Sequence, residues 1–323
     1  MNEGKQGEIY GVHRRGNLVG ELFGCAGRLE AKGVFDDIIN LKLTSGRGLA
    51  LARRDFPRAP HHVNLADFSA LPSLQEKEVF LLGSVLVMGG EGMINLQQGK
   101  IWSGRLEDYS LLAGDGEGGD IFDSLALLAD IYQLSYSRDH ILLDLIIENF
   151  ELQLRGRGSI FAAEGGWKKL FSGEVPAGGR EKIELDFFMD IIKNFWKQDK
   201  SERSLLQLRP LVGAGRGLTP AGDDLMVGFL SVLHLIDSRL LETSTDFMLS
   251  DFADRTTFVS SLALRAALKG SFSQQVVNFY EKMDTKTERK LFSALRLLES
   301  VGSSSGLDIL AGIYLGWSLL EAE

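Results

Sequence analysis

One glycine-rich loop, with the helix start that follows it, contains the residues best suited to bind a small anion. It reads Gly213-Ala214-Gly215-Arg216-Gly217-Leu218-Thr219-Pro220-Ala221-Gly222-Asp223-Asp224. The glycines allow the backbone to turn and approach a ligand closely. Thr219 is a good N-cap, and Pro220 suits the first turn of a helix. Such a helix points free N–H groups and the positive end of its dipole at the loop, which favours a phosphate or carboxylate. Arg216 would add a charge-assisted contact.

Two acidic residues follow this loop. Asp223 and Asp224 can be simple capping groups, because acidic residues in a first helical turn contribute roughly 0.3–1 kcal/mol of stability. Asp224, however, is adjacent to an almost wholly apolar helix, where a carboxylate without a partner is costly. It therefore needs a backbone N–H, an arginine, a metal ion or a ligand donor.

A second helix start repeats the pattern. Gly222 to Gly228 and Gly306 to Gly312 share the order Gly, any residue, Asp, two bulky apolar residues, a smaller residue, Gly. Asp308 takes the place of Asp224, and Gly302-Ser303-Ser304-Ser305-Gly306 precedes it as a second wall or as a plain capping loop. The echo is too short to establish a duplication. If the two starts converge, their carboxylates face one pocket and could hold Mg²⁺ or an amide group.

The segment from Asp254 to Gly270 is predicted to be a helix with hydroxyl residues at helical spacing. Thr256 with Ser260, and Thr257 with Ser261, share one broad face. Close helix packing is one explanation of these small residues, and lining the same pocket is the other. The predicted ligand-binding residues are Gly213, Gly215, Arg216, Gly217, Leu218, Thr219, Gly222, Thr256, Ser303, Ser304, Ser305 and Gly306, and the predicted catalytic residues are Asp223, Asp224 and Asp308.

The elements that must position these groups indicate an α+β fold. Strands are predicted at Ile9–Val12, Leu18–Phe23, Val34–Leu43 and Gly48–Arg54, with a hairpin formed by Met93–Leu96 and Lys100–Trp102. After Gly114 the pattern becomes helical, at 121–134, 139–152, 183–197, 221–238, 245–269, 272–281, 285–300 and 306–321. We therefore predict a β-rich domain, a sheet or small barrel, over 1–115 and a mainly helical domain over 116–323.

Composition excludes several classes of function. The formal net charge is -9, which argues against nonspecific binding of nucleic acid. One cysteine, Cys25, permits no intramolecular disulfide and no cysteine-based metal site. No signal-peptide core and no membrane-spanning run is evident, so a soluble cytoplasmic protein is expected. Beyond a possible Mg²⁺, no cofactor is indicated.

Other motifs carry less weight. His61 and His62 with Asp67 could form a metal pair, but a surface turn after Pro60 is the preferred interpretation. His234 is expected to be a hydrogen-bonded core histidine. Signatures of zinc proteases, P-loop proteins and Rossmann dinucleotide binders are missing.

The loop from Gly213 to Asp224, followed by Gly228 and by Gly302 to Asp308, resembles the AllH-like family, a bacterial family with a domain of unknown function. The resemblance covers the C-terminal half. It implies a role in ureide and purine degradation, linked to an oxamate carbamoyltransferase that works with FdrA-like partner subunits. That reaction exchanges a carbamoyl group between oxalurate and phosphate, giving oxamate and carbamoyl phosphate, all small anions.

Three functions remain open from the sequence. The chain is a carbamoyltransferase subunit, or a non-catalytic subunit that binds a small anion or acts as a scaffold, or a Mg²⁺-dependent hydrolase built on Asp223, Asp224 and Asp308. A binding test followed by a turnover assay separates the first two. The response to metal of an Asp224→Asn variant tests the third.

Overall fold

A computed structural model describes a little over half of the chain. The described residues are 8–68, 78–89, 92–106, 191, 194, 206–215, 217–236, 252, 254–283, 293–294, 296–298, 300–302 and 305–320. The predicted helices at 121–134 and 139–152 lie outside these residues, as does nearly all of 183–197.

The N-terminal region is a sheet of ten strands within the described residues. The strands are β1 Glu8–Tyr10, β2 Val12–Gly16, β3 Ala26–Val34, β4 Ile38–Leu43, β5 Gly48–Ala52, β6 His62–Leu65, β7 Val79–Leu82, β8 Val85–Met88, β9 Gly92–Asn95 and β10 Lys100–Trp102. Their order across the sheet is β1-β9-β8-β7-β3-β4-β5-β6-β2-β10. Together with the helices of the C-terminal region, this sheet confirms the predicted α+β class with a β-rich N-terminus.

Apolar side chains hold the sheet together. In β4, Leu41 is fully buried and pairs with Ala31 on β3 and with Leu49 on β5. All five residues of β5 are buried, which is typical of a strand covered on both faces. Burial of this kind supplies about 1.5–3 kcal/mol for each large apolar side chain.

Two of the predicted strands are wrong in part or in whole. Leu18–Phe23 lies largely in a 3-10 helix, Asn17–Leu22, because Val19 and Leu22 are three residues apart and are buried on one side of its turns. Val34–Leu43 is not one strand, since the chain reverses after Val34 and the Phe35 N–H donates to the Ile38 carbonyl at 2.9 Å. The residues Ile38–Leu43 then form β4 and pair with β3.

The predicted hairpin of Met93–Leu96 and Lys100–Trp102 is also wrong. β9 pairs with β8 and β1, whereas β10 pairs in parallel with β2 at the far end of the sheet order. The turn after Asn95 exists, because the Gln98 N–H donates to the Asn95 carbonyl at 3.1 Å. It leads the chain away from β9, and only the long-range pairing with β2 decides where β10 lies.

The placement of His61 and His62 differs in part from the predicted surface turn after Pro60. His62 begins β6, is buried, and its Nδ1 lies 3.0 Å from the Pro57 carbonyl oxygen. Burial lowers the pKa of His62 to about 4 and that of His61 well below its usual value. The predicted surface turn is therefore correct only in part. Pro60 and His61 lie in a turn closed by the His62 N–H and the Ala59 carbonyl at 3.0 Å, and His61 is half-buried there. His62 instead is buried at the start of β6.

The C-terminal region is helical in its described parts. The helices are α1 Ala221–Ile236, α2 Phe258–Leu268, α3 Gln274–Met283 and α4 Ser305–Leu320, with a 3-10 helix at Leu206–Leu211. These confirm the predicted helices at 221–238, 272–281 and 306–321 within two residues at each end. The predicted helix 245–269 is shorter in its described part, because α2 begins only at Phe258.

The chain divides into two compact units. The first comprises Met1–Arg105, Ser261–Ala266 and Ser271–Gln274, and the second comprises Leu106–Ser260, Ala267–Gly270 and Gln275–Glu323. The predicted domain boundary after residue 115 lies outside the described residues and stays a prediction. Across the described part of the chain, no helix combines the length and apolar character needed to cross a membrane.

Candidate functional site: two parallel helix starts

Helices α1 and α4 pack against each other through glycine. A Cβ added at Gly228 would lie 1.9 Å from the Ile309 carbonyl oxygen, and one added at Gly312 would lie 1.9 Å from the Leu225 carbonyl oxygen. Further along, a Cβ added at Gly316 would lie 2.8 Å from the Val232 Cβ, which is a side-chain contact. Thr219 and Ser305 meet in front of the two helices, and Val232 faces Gly316 further along both of them, so α1 and α4 run in the same direction. Their backbones approach closely where side chains are missing.

The first turns of both helices are built alike. A Cβ at Gly222 would lie 2.2 Å from the Leu211 carbonyl oxygen, and one at Gly306 would lie 1.5 Å from the Leu298 carbonyl oxygen. Each glycine thus lets a preceding segment pack directly on the helix start. The repeated pattern Gly-x-Asp-x-x-x-Gly now has a physical explanation. Its first glycine admits the preceding chain, and its second glycine admits the other helix.

Asp224 and Asp308 are the two carboxyl groups at this junction. Both are buried, Asp308 completely. Burial raises the pKa of Asp224 well above its usual value, and the negative charge of Asp308 raises it further. The hydroxyls of Ser305 and Thr219 act in the opposite direction by hydrogen bonding to the Asp224 carboxyl. The two helix starts therefore converge on neighbouring carboxyl groups.

A hydroxyl pair joins the loops in front of the two helices. The Oγ1 of Thr219 lies 2.7 Å from the Oγ of Ser305, 86 residues away along the chain. Since both hydroxyls also bond Asp224, three polar side chains from two helix starts form one network. The other Asp224 oxygen, Oδ2, is buried without a hydrogen-bond partner in the described structure. The network gives this junction a polar centre between two apolar helices.

Asp223 has a different role from its neighbour. Its Oδ1 accepts the Gly213 N–H at 2.8 Å, and its Oδ2 accepts the Thr256 hydroxyl. Burial raises the pKa of Asp223, while these hydrogen bonds oppose the rise. Both carboxyl oxygens therefore connect helix α1 to the glycine loop on one side and to the segment before α2 on the other. Asp223 therefore has a structural role, because it holds these two segments against α1.

The first N–H groups of α1 have partners within the protein. The Gly222 N–H donates to the Ala214 carbonyl at 2.8 Å, and the N–H groups of Asp223 and Asp224 donate to the Pro220 carbonyl at 3.0 and 3.2 Å. Pro220 thus supplies the capping carbonyl, and the Thr219 hydroxyl is used for Ser305 and Asp224. Because these three amides already have acceptors, a ligand at this helix start would contact the loop and its hydroxyls instead.

The glycines of the loop have two different explanations. Gly213 has φ 75°, and a Cβ there would lie 2.2 Å from the Arg255 carbonyl oxygen, so the protein itself requires glycine. Gly217 has φ 103°, is exposed, and a Cβ there would meet nothing within 4 Å. Leu218 beside it is 46% exposed. The part of the loop open to a ligand is therefore the stretch around Gly217 and Leu218, rather than the part around Gly213.

The segment before α2 is not the predicted helical face. Thr256 and Thr257 precede the first residue of α2, and the Thr257 Oγ1 accepts the Ser260 N–H at 3.2 Å as an N-cap. The Thr257 hydroxyl also donates to the Leu218 carbonyl at 2.6 Å. Thr256 instead reaches Asp223. The two threonines bind different partners, because extended residues before a helix do not share the helical spacing.

The remaining predicted residues fall into two groups. Ser305 and Gly306 lie at the start of α4, and Gly215, exposed with φ 114°, packs against Ala221. Arg216, Ser303 and Ser304 lie outside the described residues. Thr257 is not among the predicted ligand-binding residues, and its N-cap position is indicated by a threonine standing directly before the apolar residues Phe258 and Val259. No sequence signal marked the carbonyls of Leu211, Leu298 and Arg255, because any residue supplies a carbonyl.

The histidine in α1 is held as expected. His234 is buried, and its Nε2 lies 2.9 Å from the Ala267 carbonyl oxygen. Nearby, the Ser231 hydroxyl donates to the Gly228 carbonyl and lies 2.6 Å from the Tyr280 hydroxyl, whose pKa burial raises. In the described residues, no cluster of three or more histidine, cysteine or acidic side chains is arranged to hold a metal ion.

These features define a class: an α+β protein whose helical part is built on two parallel, glycine-packed helices with paired acidic starts. Residues 211–317 match the family model described as oxamate carbamoyltransferase subunit AllH. The match begins at the Leu211 carbonyl contact and extends through both helix starts, and it confirms the resemblance predicted from the loop motifs. It covers less than half of the chain. No solved structure matches the chain.

Proposed function

We propose that the protein is a subunit of a carbamoyltransferase, and that its two helix starts bind a small anion of the reaction between oxalurate, phosphate, oxamate and carbamoyl phosphate. One observation carries this proposal: the segment similar to a carbamoyltransferase subunit coincides with the junction where Thr219, Ser305 and Asp224 meet. Two parallel helix starts add their positive dipole ends at one place, which favours an anion.

The chemistry of the junction suits a ligand that carries both an anionic group and an amide. Each hydroxyl has one proton, so Thr219 or Ser305 can donate to a phosphate or carboxylate oxygen in exchange for its present bond in the network. The exposed backbone at Gly217 allows close approach. The oxygen of either hydroxyl can also accept a hydrogen bond from an amide N–H while its proton is donated to Asp224. Transfer of a carbamoyl group needs positioning and charge stabilisation, which such donors supply.

The proposed activity is tested with purified chain, alone and with FdrA-like partner subunits. We expect phosphate-dependent cleavage of oxalurate to oxamate and carbamoyl phosphate, and a loss of about tenfold or more in kcat/KM for Thr219→Val, because one hydrogen bond to a charged group is worth about 1.5–3 kcal/mol. Thr44→Val, an exposed threonine in the turn after β4, is the matched control and should keep full activity.

A second candidate is a non-catalytic subunit. It is favoured by the hydrogen bonds that occupy Asp223 and the first amides of α1, because groups already satisfied within the protein hold structure rather than substrate. A rise in Tm with oxamate or carbamoyl phosphate, without turnover in the presence of partners, would support this role. If neither anion changes Tm and no turnover occurs, both proposals fail.

The magnesium-dependent hydrolase has less support. Both oxygens of Asp223 accept hydrogen bonds from the protein, which leaves Asp224 and Asp308 as the acidic groups at the junction. Magnesium is usually bound through one or two carboxylates plus waters and substrate phosphates, so a site would depend on the substrate. If Mg²⁺ raises Tm in the native chain but not in Asp224→Asn, this role regains support.

A further inference from the structure

A group of cations lies on the sheet at β2 and β10. Arg14 on β2 is directly opposite Lys100 on β10 in the parallel register. Neighbouring strands are about 4.8 Å apart, and side chains in register point to the same face. Like charges placed opposite each other on adjacent strands destabilise a sheet. The fold therefore tolerates a repulsion at this pair that an anion would remove.

Two further residues join this pair. His13 is the extra residue of a β-bulge, because the pairing of β2 with β6 shifts between Val12 and Arg14. The pKa of His13 is lowered by burial first, and then by the positive charges of Arg54, Arg14 and Lys100. Arg54 follows β5 and is exposed. We call these four residues, His13, Arg14, Arg54 and Lys100, the cationic strand face.

Several other cations of the described sheet have acidic partners. Arg53 pairs with Asp37 and Asp55, Arg28 with Glu78, and Lys32 with Glu30. None of the ion pairs among the described residues includes Arg14, Arg54 or Lys100. A cluster of three cations without acidic partners there is unexpected in a chain with 44 acidic and 35 basic residues.

We propose that the cationic strand face is a docking surface for a carboxylate-rich segment of another protein. Three cations on a surface complement a few carboxylates, which sets orientation and association rate. A nucleic acid carries far denser charge, and the net charge of -9 opposes its approach. Small metabolites bind in concave, mostly apolar sites, whereas Arg54 and Lys100 are exposed on strand and loop.

The test uses the full chain and a decaglutamate peptide as the acidic probe, with decaglutamine as the uncharged control peptide. The protein is isotopically labelled at its histidines, and the NMR signals of the His13 ring are followed as a function of pH to give the pKa of His13. We expect decaglutamate, but not decaglutamine, to raise the pKa of His13, because carboxylates offset the cations that lower it. Binding measured by fluorescence anisotropy should weaken as salt increases.

Variants show whether decaglutamate binds the cationic strand face specifically or binds any positive charge on the protein. Arg14→Gln with Lys100→Gln should weaken decaglutamate binding by tenfold or more and leave stability equal or higher, since it removes the cross-strand repulsion. Arg28→Gln removes an exposed arginine elsewhere in the sheet and should leave binding unchanged. The proposal is overturned if decaglutamate leaves the His13 pKa unchanged, if the double variant binds as well as the native chain, or if sulfate at equal charge concentration has the same effect.

Discussion

The sheet and the helix pair are held together in opposite ways. At the centre of the sheet, Leu41 and its neighbours fill the protein interior with apolar side chains. Between α1 and α4 the space is closed by removing side chains, since Gly228 and Gly312 bring the two backbones together. The helix junction also contains buried carboxyl groups, whereas the buried polar side chains of the sheet, Asn40, His62 and Asn64, carry no carboxyl.

The difference shows where each region tolerates change. A side-chain core can rearrange around a lost methyl group at a moderate cost. Two backbones in contact can only separate, because an added Cβ meets a carbonyl that is fixed by its own helix. In the helix pair, the loss of stability on substitution should therefore depend mainly on whether the new side chain fits between the backbones. In the sheet, it should depend mainly on how much apolar volume is removed.

The largest effect is expected at the helix contact. Gly312→Ala should lower the free energy of unfolding by about 3 kcal/mol or more, because its Cβ would lie 1.9 Å from the Leu225 carbonyl oxygen. Gly20→Ala is the matched control in a helical turn, where the added Cβ meets only the Arg15 side chain at 3.8 Å. Urea denaturation measures both. Equal, small losses for the two variants would show that the helices do not pack as closely as described.

The sheet core should respond next. Leu41→Ala is expected to cost about 2–5 kcal/mol, toward the low end if neighbouring leucines move into the space. Leu82→Ala, at a leucine that is 56% exposed, should change stability by no more than about 0.5 kcal/mol. If thermal and urea unfolding gave the same loss for both leucines, burial in β4 would not be what stabilises the sheet.

The smallest effect is a dependence on pH at the helix junction. Because the pKa of Asp224 is raised in the folded state, its contribution to stability is fully present below the ordinary pKa of an aspartic acid and is lost as pH rises through the raised value. Relative to Asp224→Asn, the native chain should therefore lose unfolding free energy as the pH rises from about 4 toward neutral.

Urea denaturation at several pH values tests whether the stability of the native chain falls, relative to Asp224→Asn, as the pH rises. Asp36→Asn, at an exposed residue between β3 and β4, serves as the control and should track the native chain. A native chain that becomes more stable than Asp224→Asn as the pH rises would mean that the Thr219 and Ser305 hydrogen bonds outweigh burial. The junction would then favour the ionised carboxylate, as an N-terminal cap does.

Much of the helix region could be predicted from local pattern. The apolar runs indicate α1 and α4, and the repeated Gly-x-Asp pattern points to two equivalent helix starts. Strands β4 and β5 also follow from alternation and from β-branched or bulky residues. The pairing of β10 with β2 and the 3-10 helix after β2 could not be predicted, because β10 pairs with a strand far back in the chain and the Leu18 N–H of the 3-10 helix donates to the Pro60 carbonyl.

The sequence by itself determined that acidic groups would stand at two apolar helix starts, since residue type and spacing are local facts. The tertiary structure decided their roles. Asp223 and Asp224 are neighbours in the chain, yet successive residues of a helix point about 100° apart. One therefore ties the glycine loop to Thr256, and the other faces Asp308, Thr219 and Ser305. Tertiary packing sets which side of a helix contacts which partner, and the local spacing of residues does not determine that packing.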